Sequence, residues 1–244
     1  MNKRILFIGD IHGRDDWKEI VKDAILKFKH IVFLGDYVDS FDVRAAQQMY
    51  NLKEIIEFKK KNPDDVTLLL GNHDWAYIYN EIGITGFQHK YWYEFKGIFD
   101  NEIDLFDVAW GYRNFTTQKY TLATHAGLTL GFYKHTILPR LVGEIGNSGS
   151  LNGLTVDTPL HEILNAMKGD KLLWKVGSMR GGTGTPGPLW ADYAELLDDP
   201  YPDINQVFGH TASGTVCVDQ IGNDLIAKVD GWYNKKLSHL QINL

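Results

Sequence analysis

Three short apolar runs in the first 70 residues each stop at a glycine followed by a polar residue. Ile5 to Ile8 runs into Gly9-Asp10, Ile31 to Leu34 into Gly35-Asp36, and Val66 to Leu70 into Gly71-Asn72. Short contiguous apolar runs bounded by turn residues predict buried strands. Between them the pattern turns helical. Asp15 and Asp16 are expected to cap a helix running to about Phe28, with Trp17, Ile20, Val21, Ala24 and Ile25 on one face. A longer helical pattern covers about Val43 to Lys61 and stops at Asn62-Pro63. Strand–helix alternation of this kind predicts parallel βαβ units, whose ligands bind beyond the carboxyl ends of the strands.

The second half follows another pattern. Val108 to Arg113 and Lys119 to Thr124 predict a hairpin around Asn114-Phe115-Thr116, with the second arm running into His125-Ala126-Gly127. Gln206 to Phe208 leads into Gly209-His210-Thr211, and further strands are expected near 215–218, 224–229 and 236–242. This half is expected to be antiparallel or mixed. The whole is then an α/β fold of two facing mixed β-sheets flanked by helices. No repeat, low-complexity tract or long linker divides the 244 residues, so one domain over 1–244 is expected.

Composition narrows the partners. A net charge of −6 argues against general nucleic-acid or membrane-surface binding. The single cysteine, Cys217, excludes an intrachain disulfide and a multi-cysteine zinc site. Met1 to Arg4 ahead of Ile5 to Ile8 imitates a signal peptide, but the apolar run is too short. No run approaches the roughly 20 apolar residues of a membrane span, and a cytoplasmic chain is expected.

The predicted strand ends carry Asp10, His12, Asp36, Asn72, His125 and His210. Nitrogen and oxygen donors without thiolate suit two borderline divalent ions, manganese first, with iron, zinc, cobalt or nickel as alternatives. A carboxylate such as Asp36 can bridge such a pair. Of the nine histidines, four stand in glycine-flanked motifs (His12, His73, His125 and His210). His30, His89, His135, His161 and His239 are expected to be core or surface residues.

The ordered set Gly9-Asp10-Ile11-His12-Gly13, Gly35-Asp36-Tyr37-Val38-Asp39, Gly71-Asn72-His73-Asp74, His125-Ala126-Gly127 and Gly209-His210-Thr211 resembles the calcineurin-like metallophosphoesterases. Within them it is most similar to the phosphoprotein phosphatase branch of bacterial or phage type. The tail Lys228 to Leu237 resembles the closing strands of bacterial members, and Pro188-Leu189-Trp190-Ala191-Asp192 resembles a Leu-Trp-Ser-Asp element of that branch. The resemblance implies Asp10 and His12 on one metal, Asp36 bridging, and Asn72, His125 and His210 on the second. It further implies that His73 protonates the leaving oxygen and that Asp39 orients the His73 ring and keeps it cationic.

Two departures accompany these matches. The branch carries Arg-Gly after the second motif, where this chain has Ser40-Phe41, and an arginine after the Leu-Trp element, where it has Ala191-Asp192. The phosphate clamp must then come from elsewhere. Arg180, in the glycine-rich stretch Gly177 to Gly187, is the first candidate, and Arg14, just after the first motif, is its rival. That stretch could also cradle an anion through backbone amides. The aromatic run Phe87 to Phe99 is expected to pack a helix against the core, with a substrate cleft as the alternative.

The expected function is hydrolysis of phosphomonoesters on a phosphorylated protein, most like a serine/threonine phosphatase, or on a small phosphoester. The alternatives are a hydrolase of dinucleoside polyphosphates or cyclic nucleotides, and a scaffold that has lost catalysis.

Overall fold

Ile5 to Ile8, Ile31 to Leu34 and Val66 to Leu70 are buried along their whole length, as expected of central strands covered on both faces. In the computed structural model, which describes residues 4–22, 24–81, 83–143, 151–230 and 236–243, ten strands form. They are β1 (Arg4–Ile8), β2 (Phe28–Phe33), β3 (Val66–Leu69), β4 (Phe106–Asp107), β5 (Ala109–Arg113), β6 (Tyr120–Thr124), β7 (Ile204–Phe208), β8 (Cys217–Ile221), β9 (Asp224–Lys228) and β10 (His239–Asn243). The chain divides into two units, Met1–Asp107 with Ala212–Val216 and Val229–Leu244, and Val108–Thr211 with Cys217–Lys228.

The first unit holds a mixed sheet in the order β10-β1-β2-β3-β4. Pairs β1–β2, β2–β3 and β3–β4 are parallel, so the ends of β1, β2 and β3 lie on one edge. Its helices are α1 (Trp17–Val21), α2 (Ala24–Lys27), α3 (Ala45–Lys61), α4 (Asn72–Tyr79) and α5 (Trp92–Glu102). Helix α3 buries Leu52, Ile55 and Ile56, together with Gln48 and Asn51. Asn51 accepts from the Trp17 indole at 2.8 Å and donates to the Arg14 carbonyl at 2.8 Å, tying α3 to the segment after β1. Within the aromatic run Phe95 and Phe99 of α5 are buried against Tyr77, and Phe99 also meets Phe106, whereas Tyr93 faces solvent. Each buried phenylalanine contributes about 1.5–3 kcal/mol by burial.

Three expectations are corrected in this unit. The helix predicted to run to about Phe28 ends at Lys27 but is two short helices, and Phe28 at once starts β2 by pairing with Arg4. Asp16 does not cap α1 through its side chain. Its carboxylate instead accepts from the Leu237 amide at 2.7 Å. The strand expected near 236–242 belongs to this sheet and not to the second half, as β10 antiparallel to β1. Met1 to Lys3, the Ile25 side chain and residues 231–235 of the tail motif lie outside the described residues.

The second unit holds the order β5-β6-β7-β9-β8. The predicted hairpin is β5–β6, antiparallel from Ala109↔Thr124 to Arg113↔Tyr120. The pairs β6–β7 and β7–β9 are parallel and β8–β9 is antiparallel, so this sheet is mixed too. Parallel pairing of β6 and β7 sends both strands towards the same edge, where His125 and His210 follow them. Helix Leu160–Ala166 packs on β5, and its Asn165 accepts from the Val108 and Ala109 amides at 2.8 Å each. Among the described residues no helix is long and apolar enough to cross a membrane.

Candidate metal centre

Beyond β1 and β2 the backbone itself builds the site. His12 N donates to the Asp36 carbonyl at 2.7 Å and Gly13 N to that of Tyr37 at 2.9 Å, zipping the two strand-end loops together. His12, Asp36 and Asp39 all take left-handed φ, at 42°, 51° and 64°, a conformation uncommon away from glycine and found where a surrounding structure enforces it. At Asp36 the group that holds it is Asp74. Its buried carboxylate accepts from Asp36 N at 2.8 Å, Gly71 N at 2.8 Å and Tyr37 N at 2.9 Å. Gly71 must be glycine, since a Cβ there would overlap the Asp36 carboxylate.

One donor atom from each of Asp10, His12 and Asp36 lies within 4.8 Å of the others. The His12 Nδ1 meets the Val38 carbonyl at 2.8 Å. A carbonyl only accepts, so Nδ1 carries the proton and Nε2, 3.8 Å from Asp36 Oδ2, is the free ligating atom. Burial, partly countered by Asp36, pushes the His12 pKa down to about 4, which keeps the ring neutral as ligation requires. Two carboxylates and an imidazole suit a borderline divalent ion. The donor set fits.

Asn72, 2% exposed, opens α4, and His73 follows it. The His73 amide donates to Asp36 Oδ1 at 2.9 Å, and its ring Nδ1 meets Asp39 Oδ2 at 2.8 Å. Asp39 also accepts from the Tyr77 hydroxyl at 2.5 Å, and that hydroxyl accepts from Gln88 N at 2.8 Å. Burial alone would lower the His73 pKa, but Asp36 and the hydrogen-bonded Asp39 outweigh it and the net direction is upward. Burial raises the Asp39 carboxyl against the pull of His73, so the pair shares a strong hydrogen bond in a poorly solvated place.

His12, Arg14, Asp39, Ser40, Phe41, Asp42, His73, Thr85, Ala212 and Asp230 line a cavity of about 240 Å³. Arg14 is held there, 3.5 Å from Asp42.

In the second unit His125 is fully buried and His210 takes φ 62°. Gly209 N donates to the His125 carbonyl at 2.8 Å, and His125 Nε2 lies 3.2 Å from His210 Nδ1. Trp190 stands edge-on to His210, with centroids 5.4 Å apart. Arg180 turns to Asp192 at 2.9 Å and to the Thr211 hydroxyl at 3.0 Å. The glycine-rich loop around it spends its amides internally: Arg180 N and Gly182 N bond Gly177 O, Gly181 N bonds Ser178 O, and Met179 N bonds Glu195. No anion cradle forms from these four donors.

Sequence reasoning passed over three residues that hold the first unit's site. Asp74 was legible as the last member of Gly71-Asn72-His73-Asp74, but its bonds to residues 36 and 37 are long-range. Tyr77 and Gln48 gave no signal beyond helix position.

The family described as calcineurin-like phosphoesterase matches residues 3–233. Among solved structures, a cold-active protein-tyrosine phosphatase of a psychrophilic Shewanella species is similar at a TM-score of 0.55 and 14% identity, covering 100% of this chain and 81% of that one. A second structure of a cold-active protein tyrosine phosphatase gives 0.51 and 16%, covering 100% and 74%. At such identities the likeness is one of fold.

Proposed function

This chain belongs to the calcineurin-like phosphoesterase family and is a hydrolase of phosphoester bonds; on that premise we propose that it cleaves phosphomonoesters carried on protein side chains, using two divalent ions, manganese first. The carrying observation is the His73–Asp39 pair set directly beside Asp10, His12 and Asp36. Asp10, His12 and Asp36 would hold one ion, and His125 with His210 would serve another. Bound there, the ions supply Lewis-acid charge for the phosphoryl oxygens and a readied water.

The chain's own residues do the rest. Asp39 fixes the His73 ring through Nδ1, which leaves Nε2–H to be given to the leaving oxygen as the P–O bond breaks. Its raised pKa keeps that proton available near neutrality. Tyr77, anchored by Gln88 N, keeps Asp39 from rotating. Arg14, on the same cavity wall as His73, is the arginine offered to substrate in this unit.

Against polyphosphates stands the cavity's charge, since Arg14 and protonated His73 are already paired with Asp42 and Asp39, and Asp230 leaves the lining one charge negative. An anionic leaving group would meet like charge there. A panel of phosphopeptides, p-nitrophenyl phosphate, a dinucleoside polyphosphate and a cyclic nucleotide, assayed with manganese, tests the reading. Turnover of the monoesters alone is expected, and preference for either nucleotide would overturn it.

A further inference from the structure

Single exposed aromatics are ordinary on protein surfaces, but Phe41, 82% exposed, lines the cavity that also holds His73 and Asp39. Its loop is fastened on both sides. Fully buried Gln48 accepts from Ser40 N at 3.3 Å and donates to Ser40 O at 3.3 Å and Val43 O at 2.7 Å. The Ser40 hydroxyl accepts from Val43 N at 3.2 Å and donates to Asp42 at 2.8 Å. Beneath the ring Gly86 takes φ 82°, and a Cβ there would stand 3.3 Å from Phe41 Cζ. The ring is therefore presented on a rigid turn, with one edge against backbone.

A general acid sits next to the leaving group by definition, so the cavity wall shared by His73 and Phe41 is where the leaving alcohol lies. Its volume of about 240 Å³ exceeds the about 150 Å³ that admits benzene in an apolar cavity. Its cations, Arg14 and His73, are already paired with Asp42 and Asp39, which leaves little to attract a further anion and nothing to oppose an uncharged ring.

We propose that Phe41 is a specificity-determining residue that stacks on an aromatic leaving group, so that the enzyme prefers aryl phosphomonoesters, phosphotyrosine among them, to alkyl ones such as phosphoserine. This rests on the phosphomonoesterase reading above and departs from the serine/threonine expectation. An aromatic pair prefers offset or edge-to-face contact, which a ring held at the cavity rim can offer from the side.

The test compares wild type with Phe41→Ala, Phe41→Leu and Phe41→Tyr on a phosphotyrosine and a phosphoserine peptide of one sequence. Intrinsic leaving-group reactivity cancels in each wild-type to variant ratio. Phe41→Ala is expected to lower kcat/KM on the phosphotyrosine peptide about tenfold, the size of one aromatic pair contact, mostly through KM, with a clearly smaller loss on phosphoserine. Phe41→Leu should resemble Phe41→Ala, and Phe41→Tyr should restore the preference. Calorimetric binding of phenylphosphonate against methylphosphonate should move in parallel. Equal losses on both peptides, or none, would overturn the inference while leaving the phosphomonoesterase reading in place. Wild type that cleaves neither peptide nor p-nitrophenyl phosphate would overturn both.

Discussion

In the unit that carries Asp10, His12 and Asp36, a buried carboxylate joins the backbone in tying the strand ends; in the unit that carries His125 and His210, backbone and neutral side chains tie them. Asp74 alone collects the amides of Asp36, Tyr37 and Gly71. Around His125 the ties are Gly209 N to His125 O and Ala126 N to Pro188 O, both at 2.8 Å, with the Thr124 hydroxyl accepting from Gly127 N and the Gln206 amide bonding both the N and the O of Leu128. The carboxylate hub holds the left-handed Asp36 directly, through its amide. Its cost is dependence on one side chain. The first unit should therefore be fragile to single substitutions, and the second should spread their effects.

The largest effect expected is on chemistry. His73→Asn should keep its metal while kcat falls about 10²–10⁴-fold, the range for a general acid. The loss should shrink on p-nitrophenyl phosphate, whose leaving group needs less protonation. An equal loss on every substrate would give His73 another role.

Next comes the hub. Asp74→Ala leaves three buried amides without their acceptor, at roughly 1–3 kcal/mol each, and should lower denaturant stability by several kcal/mol along with metal affinity. Asp192 in the second unit caps the helix Tyr193–Asp198 by accepting from Ala194 N at 3.0 Å. Asp192→Ala should cost only about 0.5–2 kcal/mol. Comparable losses for the two would erase the contrast.

The strand-end chemistry was legible because each carrier is local: an apolar run, a glycine, then the donor. The helix end at Asn62 was legible for the same reason. The start of β2 at Phe28 rather than Ile31 was not, since it depends on pairing with Arg4, far along the chain. Placement of β10 beside β1 depends on register across the whole sequence. Asp74 looked like a third motif residue, and only folding shows that it binds the loop after β2. Arg180 was chosen for its flexible loop, yet that loop is spent on its own hydrogen bonds and the guanidinium on Asp192 and Thr211.

A smaller effect is a shift in pH dependence. A general acid acts protonated, so kcat should fall as pH rises through the His73 pKa, which Asp36 and Asp39 hold above the usual 6.5. Asp39→Asn removes one of those charges and should move the alkaline limb to lower pH. A limb that stays in place would detach Asp39 from His73. The smallest effect is expected of Arg180→Ala. Its ion pair with Asp192 is partly exposed and worth less than about 1 kcal/mol, so stability should fall by no more than that, with KM and metal content unchanged.

The most direct measurement follows metal and activity together. The purified chain is stripped with a chelator, manganese is titrated back, and bound ions and p-nitrophenyl phosphate turnover are read on each sample. The account predicts that stripping abolishes turnover, that it returns as occupancy approaches about two ions per chain, and that Asp36→Asn fails to recover either. Full activity in the stripped chain, or in a chain holding at most one ion, would contradict it.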